Sequence, residues 1–497
     1  MLTLSKIGFR VQCTGSIKER KIIREATSLL HPDRFNIPLF LEDKWDGYIR
    51  KYRSANKTFP IGLLHYVETA LKEKKIRYKL DGFDEEDDSW IKFSKLISAD
   101  DRDYQRAAIK TFFQHRIGIL KVPTRGGKTF IASECIRLAL QNNKAKKFIF
   151  LVDSVDIYKQ AIGDIAGFLK VPTSSIGKIR EKDFSIDKPV IIAMVQTLQS
   201  IMRGKDLGKK KGLKRLYKEV DFFILDEVQE YGASKVRQKI INSFKKLKYF
   251  LSLSGSPYKS ENPVGNFNIE AMSGGIIYDI EEKELQKRKV LSENKILLFW
   301  IKRNVEEDGD YRLLKRSYIL RDYQRNNIII STLRLCQQLK LKTLGIFAST
   351  EHGFFIEKLS GYRFIHGNTS DKERSAEKAS FLAGKGKVLL ASWIWKKGVT
   401  LPEVEVLFNI DGGKEQSLAI QIRGRVLGTT QTKKKSLFID FIDDVGEYFS
   451  QHSFSRIMAY EEKVGKENID VLDVNDPNFS FDLQSYLSNW FEKSIVE

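Results

Sequence analysis

Cysteine and histidine are scarce in this chain, which has three Cys and six His among 497 residues. Cys13, Cys135 and Cys336 lie far apart, and none belongs to a C-x-x-C pair or another metal-ligand spacing. The sequence therefore indicates neither a disulfide framework nor a zinc site. A metal cluster built from His and Cys is not expected, and a reducing cytoplasm is the compartment that this composition favours.

Long apolar runs are missing as well. No segment approaches the roughly 18 consecutive apolar residues that a membrane-spanning helix needs. The amino terminus, MLTLSKIGFR, shows neither the apolar core nor the cleavage pattern of a secretory signal. We therefore expect a cytoplasmic location and no membrane partner.

Acidic residues are outnumbered, because 85 Lys and Arg against 64 Asp and Glu leave a net charge of +21. A Lys or Arg that neutralises a phosphate releases a condensed counterion, so an excess of this size favours a polyanionic partner. Nucleic acid is the partner that we expect, although the same excess could serve solubility alone. The length corresponds to about three or four domains.

The first 95 residues predict a small α+β domain. A D-G dipeptide, Asp46 and Gly47, lies between strand-like segments and predicts a β-hairpin. Residues 61–78 have apolar side chains at helical spacing and basic residues at the end, which predicts a helix. The acidic, turn-rich residues 81–90 predict a linker.

Two α/β domains are predicted after this linker. Short apolar runs alternate with helical stretches, a pattern typical of parallel sheets covered on both faces. Strands are predicted at 116–122, 148–153, 189–195, 221–227 and 249–255, then at 296–301, 343–349, 387–392, 404–410 and 436–442. We place the domains at 1–95, 96–285 and 286–450, with a helical extension at 451–497 in which FDLQSYLSNWFEKSIV predicts an amphipathic helix packed back on the preceding domain.

A glycine-containing turn, VPTRGGKT at 122–129, separates a predicted strand from a predicted helix. It departs from the P-loop pattern G-x-x-x-x-G-K-[ST], because valine stands where the first glycine belongs. Backbone N–H groups around Gly126 and Gly127 can still close around a phosphate. We expect Lys128 to reach the phosphates of ATP and Thr129 to hold Mg²⁺. A lysine in a tight turn is the alternative for this segment alone.

A later apolar strand ends in two carboxylates, Asp226 and Glu227. Ligands gather at the carboxyl ends of parallel strands, so the pair predicts a catalytic role. We expect Asp226 to hold Mg²⁺ and Glu227 to orient or deprotonate the attacking water. A solvated turn with an acidic cap is the alternative, but the lysine turn before the pair and SLSGSP (252–257) after it favour a nucleotide site.

These segments resemble motifs I (VPTRGGKT), II (DEVQ) and III (SGSP) of the superfamily 2 helicases and translocases, whose fold is two tandem RecA-like domains. The resemblance implies that Gln229 links the ATP site to motif III, although many members have His or Asp there. RDYQRAAI (102–109) resembles the adenine-recognition segment, which implies that Gln105 reads the base with Arg102 nearby. The implied ATP-binding residues of motif I are Pro123, Thr124, Arg125 (glycine in many members), Gly126, Gly127, Lys128 and Thr129.

Four further segments resemble motifs that contact the nucleic-acid backbone in this family. LVDSVDIYKQ (151–160) and VQTLQS (195–200) resemble motifs Ia and Ib, and GIFASTEHG (345–353) and RFIHGNTSDKER (363–374) resemble motifs IV and IVa. The contacts that this implies are from Ser154, Gln196, Thr197, Ser349, His366 and Gly367.

Motifs V and VI are also represented, by LLASWIWKKGVTLPEVEVLFN (389–409) and SLAIQIRGRVLG (417–428). The family form of motif VI is Q-x-x-G-R-x-x-R, and Gly428 replaces its last arginine here. Arg425 is the implied stabiliser of charge on the transferred phosphoryl group, with Arg423 as the weaker alternative. The resemblance further implies nucleotide contacts from Gly398, Gln421 and Arg425 and nucleic-acid contacts from Lys397 and Thr400.

The flanking segments resemble the phage UvsW-type recombination helicases. The shared features are W-D-G followed by apolar and basic residues, a P-x-G-L-L helix, and FIDDVGE at 441–447. The resemblance implies a phage- or bacterial-type enzyme that remodels forks and branched DNA in replication, recombination or repair. A mixed aromatic and cationic surface that suits phosphate contact and base stacking is formed by Lys44, Arg50, Lys51 and Arg53 with Trp45, Tyr48 and Tyr52. Core packing is the alternative for Trp45.

A basic run at 203–218, RGKDLGKKKGLKRLYK, predicts a loop because it contains three glycines among its lysines. We expect Lys209, Lys210 and Lys211 to contact phosphates, with a solvated surface loop as the alternative.

The sequence thus predicts an ATP- and Mg²⁺-dependent DNA helicase. An RNA helicase on the same motor and a nucleic-acid-binding scaffold with weak ATPase activity, which Gly428 keeps open, are the alternatives. A single-domain P-loop kinase is disfavoured by the second set of strands and by QIRGR.

Overall fold

The computed structural model describes residues 1–83, 89–93, 103–244, 246–259, 262–303, 310–393, 403–413, 423–424, 427–430 and 433–494. The chain divides into two compact units, Met1–Pro123 with Gly127–Ile280, and Thr124–Gly126 with Glu281–Glu497. Both are α/β, and the predicted pair of parallel-sheet domains after a small α+β domain is confirmed. Among the described residues, no helix has the length and apolarity to cross a membrane.

The first unit opens with the α+β domain. Its elements are β1 (Leu2–Ile7), β2 (Arg10–Thr14), α1 (Ile17–Ala26), β3 (Ser28–Leu30), α2 (Pro38–Leu41), β4 (Tyr48–Arg50), β5 (Thr58–Pro60), α3 (Leu64–Glu73) and β6 (Tyr78–Asp81). The main sheet has the order β5-β2-β1-β6, with β1 antiparallel to β2 and parallel to β6. The helix predicted at 61–78 is confirmed as a 3₁₀ turn followed by α3, which buries Val67 and Leu71 one turn apart.

The β-hairpin predicted around the D-G dipeptide is wrong. Gly47 does turn the chain, with φ +80°. The strand after it, β4, pairs with the distant β3, in the register Leu29↔Ile49. The residues before the turn supply no partner, since no strand lies between the end of α2 at Leu41 and the start of β4 at Tyr48.

The first parallel-sheet domain follows. Its elements are α4 (Asp103–His115), β7 (Ile117–Lys121), α5 (Lys128–Gln141), β8 (Phe148–Val152), α6 (Val155–Leu169), β9 (Gly177–Arg180), β10 (Asp183–Phe184), β11 (Val190–Met194), α7 (Val195–Arg203), α8 (Leu207–Glu219), β12 (Phe222–Asp226), α9 (Lys235–Ile241), β13 (Tyr249–Ser254), α10 (Pro263–Ser273) and β14 (Ile276–Asp279). The sheet order is β10-β9-β11-β8-β12-β13-β7-β14, parallel except at β9–β10. All five predicted strands are present, and β8, β11 and β13 are buried along their whole length, which explains their uniformly apolar sequence.

Helix α10 is shared by the two domains of this unit. Phe267 and Ala271 belong to the core of the α+β domain, whereas Ile269 belongs to the core of the parallel-sheet domain. A Cβ atom at Gly62 would lie 1.9 Å from the carbonyl oxygen of Glu270, so the α+β domain approaches the helix backbone directly. The N-terminal domain is therefore packed onto α10.

The second unit carries the second parallel sheet. Its elements are α11 (Glu282–Lys287), β15 (Glu293–Arg303), α12 (Tyr311–Lys315), α13 (Tyr323–Gln338), β16 (Thr343–Phe347), α14 (Thr350–Ser360), β17 (Phe364–Ile365), α15 (Asp371–Leu382), β18 (Val388–Ser392), β19 (Val406–Asn409), β20 (Lys435–Val445), α16 (Gly446–Val464), β21 (Ile469–Asp473) and α17 (Phe479–Phe491). The sheet order is β17-β18-β16-β19-β20-β15-β21, and each neighbouring pair of these strands is parallel. The five strands predicted here are also confirmed.

The C-terminal residues complete this sheet and do not form a purely helical extension. Strand β21 pairs with β15 in the register Leu298↔Val471, and the boundary drawn at residue 450 falls inside α16. Helix α17 buries Phe479, Leu483 and Leu487 in the core of the unit. The predicted amphipathic helix thus packs back on the preceding domain.

Candidate nucleotide and nucleic-acid sites

The turn between β7 and α5 has the backbone form of a phosphate cradle. Gly127 is the N-cap of α5 with φ +87°, a conformation that favours glycine. A Cβ atom here would lie 2.3 Å from Gln105 Nε2, so the glycine lets Gln105 pack against the turn. The first N–H groups of α5 have no partner within the helix and carry the positive end of its dipole, which suits a phosphate.

Arg125 stands where many members of the family have glycine, and its backbone conformation is one that glycine favours. It adopts φ +71°, the region in which glycine is usual and which other residues occupy at a cost. Glycine at this position in many family members fits the same backbone. Burial lowers the pKa of Arg125 to about 10.

Lys128, Glu227 and Asp226 meet at the carboxyl ends of the central strands. Lys128 Nζ lies 3.8 Å from Glu227 Oε1 and donates to the carbonyl oxygen of Val122 at 3.4 Å. Although the Asp226 side chain keeps some accessible surface, the protein packed around it and then the neighbouring Glu227 raise its pKa to about 7. A carboxylate that is costly to ionise in this way would be stabilised by a divalent cation, so these residues, with Thr129 at the start of α5, fit Mg²⁺.

Gln229 joins this cluster to the segment at the end of β13. Its Nε2 donates to Glu227 Oε2 at 2.7 Å, and its Oε1 accepts from the Ser254 hydroxyl at 2.7 Å. The Ser254 oxygen in turn accepts from the Ser256 backbone N–H at 2.9 Å. A glutamine amide can donate and accept at once, which a carboxylate cannot do, so the side chain suits this bridging position.

Three of the residues that are predicted to contact nucleic acid lie beside one another at the carboxyl ends of β8 and β11. Ser154 caps α6 by accepting from the Ile157 N–H, and the Thr197 hydroxyl accepts from the Glu181 N–H at 3.2 Å. Gln196 Nε2 donates to both the backbone oxygen and the carboxylate of Asp153, each at 2.8 Å. The two loops are therefore tied together through Asp153.

Arg237 is a residue of this region that the sequence did not reveal. Its Nη2 donates to both carboxylate oxygens of Asp153 at 3.0 Å, and its Nη1 donates to the carbonyl oxygen of Glu230 at 2.6 Å. It thus connects the loop of Ser154 to the turn that follows the DEVQ strand. Asp153 stands at the end of a predicted strand and could have been suspected, whereas Arg237 lies on α9, outside every segment that resembles a family motif.

The basic run predicted as a loop is instead the helix α8. Asp206 caps it by accepting from the Lys209 N–H at 2.9 Å, and Leu213 and Leu216 are buried on one side. The loop prediction is wrong because this cap and this apolar side outweigh the helix-breaking tendency of two glycines. Lys209, Lys210 and Lys211 lie in the first turns of the helix.

In the α+β domain, the side chains of Arg50 and Trp45, which are predicted to contact nucleic acid, have partners within the protein. Arg50 Nη1 donates to Asp46 Oδ1 at 2.7 Å, and a second contact joins the same pair. Trp45 Nε1 donates to the carbonyl oxygen of Tyr48 at 3.0 Å, and its ring packs edge-on against His31. Arg53 is exposed.

In the second unit, the predicted contact residues lie after β16 and β17. Ser349 caps α14, and its backbone N–H donates to the buried Asp411 carboxylate at 2.6 Å. The His366 ring stacks against Phe364 at 5.8 Å, and its Nδ1 accepts from the Asn368 N–H. Gly367 is exposed beside it.

Arg423 is held inside the protein by Glu282 and Asn294, which argues against its being the catalytic arginine. Its side chain is 1% exposed, and both its terminal nitrogens donate to the Glu282 carboxylate, at 2.9 and 2.7 Å. Nη1 also donates to Asn294 Oδ1 at 2.7 Å. The remaining predicted site residues, Arg102, Lys397, Gly398, Thr400, Gln421 and Arg425, lie outside the described residues.

A buried ionic cluster holds the turn that precedes the motif VI segment. Arg325 forms an ion pair with Asp443 and donates to the carbonyl oxygen of Ile410 at 2.6 Å. Arg456 forms an ion pair with Asp440 and donates to the carbonyl oxygen of Gly413 at 2.5 Å. The FIDDVGE segment therefore supplies part of a core network.

Comparisons with known proteins agree with this arrangement. A family described as "Type III restriction enzyme, res subunit" matches residues 98–259, and one described as "Helicase conserved C-terminal domain" matches residues 315–427. The ATP-dependent DNA helicase uvsW of Enterobacteria phage T4 is 22% identical over 474 residues, covering 86% of this chain and 91% of that protein. The DNA 3'-5' translocase XPB2 of Sulfurisphaera tokodaii is 22% identical over 385 residues, covering 69% and 81%.

Among solved structures, S. cerevisiae Dbp5 bound to RNA and ADP BeF3 has the same fold. The TM-score is 0.55 at 14% identity, over 78% of this chain and 93% of that one. The two family matches fall on the two parallel-sheet domains, in the order that the motifs predict. The chain belongs to the superfamily 2 helicases and resembles the phage UvsW helicase.

Proposed function

We propose that this protein is an ATP-dependent DNA helicase that moves along and remodels branched DNA. The observation that carries the proposal is the cluster of Lys128, Asp226 and Glu227 beyond the carboxyl ends of β7 and β12, the two strands that flank β13. A phosphate-binding lysine beside two carboxylates has the parts that hydrolysis of a nucleoside triphosphate requires. Gln229 supports the proposal because it joins Glu227 to the segment at the end of β13.

Each residue has a proposed task in hydrolysis. Lys128 and the first N–H groups of α5 bind the phosphates, while Thr129 and Asp226 hold Mg²⁺. Bound Mg²⁺ would neutralise charge on the phosphate oxygens. Glu227 orients the attacking water, and Gln229 fixes the carboxylate of Glu227. Arg425 stabilises charge on the transferred phosphoryl group.

Movement along nucleic acid is proposed to use backbone contacts. Ser154, Gln196 and Thr197 lie together in the first unit, and Ser349 and His366 follow strand ends in the second. Such contacts carry no sequence information, so the proposed movement is independent of sequence and weakens as salt rises. The excess of basic residues supports this electrostatic component.

DNA is proposed as the substrate in preference to RNA. The T4 protein whose name states a DNA helicase aligns with 86% of this chain. The likeness to Dbp5 concerns the fold, which does not distinguish the two nucleic acids. Branched DNA is the finer proposal, and it rests on the N-terminal resemblance.

Stimulation of ATP hydrolysis by different nucleic acids tests this proposal. We expect forked DNA and a four-way junction to raise the hydrolysis rate more than linear duplex DNA does. Stimulation by RNA alone would replace the proposal with an RNA helicase. Binding without turnover on every substrate would indicate a scaffold.

A further inference from the structure

The N-terminal domain holds helix α10 by its side chains as well as by its core. The Tyr66 hydroxyl donates to Glu270 Oε2 at 2.9 Å, and His65 Nε2 lies 3.3 Å from Glu270 Oε1. Phe267, on the same helix, is buried in the core of the N-terminal domain. A shift of this domain would therefore move α10 with it.

Asn268 connects this helix to the turn that follows the candidate catalytic carboxylates. Lys51 Nζ, in the N-terminal domain, donates to Asn268 Oδ1 at 2.6 Å. Asn268 Nδ2 donates to the carbonyl oxygen of Gly232 at 2.9 Å, and Gln238 Nε2 donates to the same oxygen at 2.6 Å. The amide of Asn268 thus accepts on one side and donates on the other.

The contact is close and partly shielded from water. A Cβ atom at Gly232 would lie 2.3 Å from the carbonyl oxygen of Gly265, so the turn rests directly on α10. Burial also lowers the pKa of Lys51. Hydrogen bonds in such surroundings are less weakened by water than exposed ones.

The path from Gly232 back to Glu227 is short and well anchored. Residues Val228–Glu230 form a 3₁₀ turn, and Tyr231 is 0% exposed. Arg237 holds the carbonyl oxygen of Glu230. Because each intervening residue is fixed by packing or by a hydrogen bond, a displacement of Gly232 is passed on toward Glu227.

We propose that Asn268 is a positioning residue for ATP hydrolysis, through which the N-terminal domain fixes the turn that carries Glu227. The proposal rests on the proposed function, because it assigns Glu227 to the hydrolytic step. It predicts that the N-terminal domain tunes the rate of hydrolysis in addition to any contact it makes with DNA.

Steady-state ATP hydrolysis by full-length variants tests the proposal, with and without forked DNA. Asn268→Leu removes both hydrogen bonds, and Lys51→Met removes only the one from the N-terminal domain. We expect Asn268→Leu to lower kcat by about tenfold and Lys51→Met by a smaller factor, with KM for ATP little changed. Lys51→Arg keeps a donor and should largely restore kcat.

Lys72→Met is the matched control, because Lys72 is an exposed residue of α3 in the same domain and its loss removes the same charge. It should leave kcat unchanged. Thermal unfolding of each variant identifies the temperature at which all of them are folded, and hydrolysis is compared there.

Equal kcat for the wild type and Asn268→Leu, or an equal loss in Lys72→Met and Lys51→Met, would overturn this proposal alone. A wild-type protein that hydrolyses no ATP would overturn the proposed function and the role of Asn268 with it.

Discussion

At the scale of single residues, Asp226 carries a cost that a bound cation would remove. Its pKa is raised to about 7 by burial and by the adjacent Glu227. The folded protein therefore binds a proton at this carboxyl more tightly than the unfolded chain does. It follows that the free energy of unfolding falls as pH rises from the ordinary carboxyl range through 7.

Replacing Asp226 by Asn should remove this pH-dependent cost. We expect Asp226→Asn to raise the melting temperature of the ligand-free protein more at pH 8 than at pH 5, while abolishing ATP hydrolysis. Thermal unfolding at the two pH values measures the difference. An equal change at both pH values would show that ionisation of the Asp226 carboxyl does not destabilise the folded protein.

Gln229 provides a second prediction at this scale, because its two hydrogen bonds hold Glu227 and Ser254 at fixed places. Gln229→Glu cannot donate to Glu227 and places a like charge beside it. We expect kcat for ATP hydrolysis to fall by at least about tenfold with little change in KM for ATP. Ser254→Ala, which leaves the bond between Gln229 and Glu227 in place, should have a smaller effect, and the reverse order would contradict the bridging role.

At the scale of elements, the apolar runs predicted the strands well because buried parallel strands need apolar side chains on both faces. In the two parallel sheets the sequence missed β10 and β17, which are two residues long, and β14 and β21, whose residues are all partly or fully exposed. It also missed β9, which is four residues long and only half buried. The sequence also predicted a loop where α8 forms, because the glycines of this segment obscure its cap and its buried apolar side. Neither the pairing of β4 with β3 nor the contacts of Arg237 leave a local pattern in the sequence.

The helical form of α8 makes its lysines testable as a group. Lys209, Lys210 and Lys211 lie close to its N-terminus, and we expect their joint replacement by Gln to weaken binding of DNA. The loss should be larger at low salt than at high salt, because each phosphate contact releases a counterion. Titration with fluorescent DNA at several salt concentrations measures it, and an unchanged salt dependence would mean that α8 faces solvent.

At the scale of the whole molecule, the sequence predicted the order of the domains. It did not predict which distant segments complete the core or the sheet of each domain. Motif order placed the two parallel-sheet domains, and these are confirmed. The sharing of α10 by two cores and the return of β21 to the second sheet depend on contacts between distant segments. The candidate ATP cluster was predicted residue by residue, whereas its anchoring through Asn268 was not.

Removal of residues 465–497 tests the role of the C-terminus. The truncation would expose β15 and the core positions filled by Phe479, Leu483 and Leu487. We expect a large fall in melting temperature or loss of soluble protein, because several fully buried apolar side chains are lost. A truncated protein with wild-type stability would show that these residues only rest on the surface.

We propose that nucleotide hydrolysis at Lys128 drives work on DNA. ATP hydrolysis and forked-DNA binding, measured side by side for the wild type and Lys128→Ala, test this proposal. We predict DNA-stimulated hydrolysis in the wild type, its loss in Lys128→Ala, and similar DNA affinity in both. Undiminished hydrolysis in Lys128→Ala would mean that ATP is hydrolysed elsewhere in the protein.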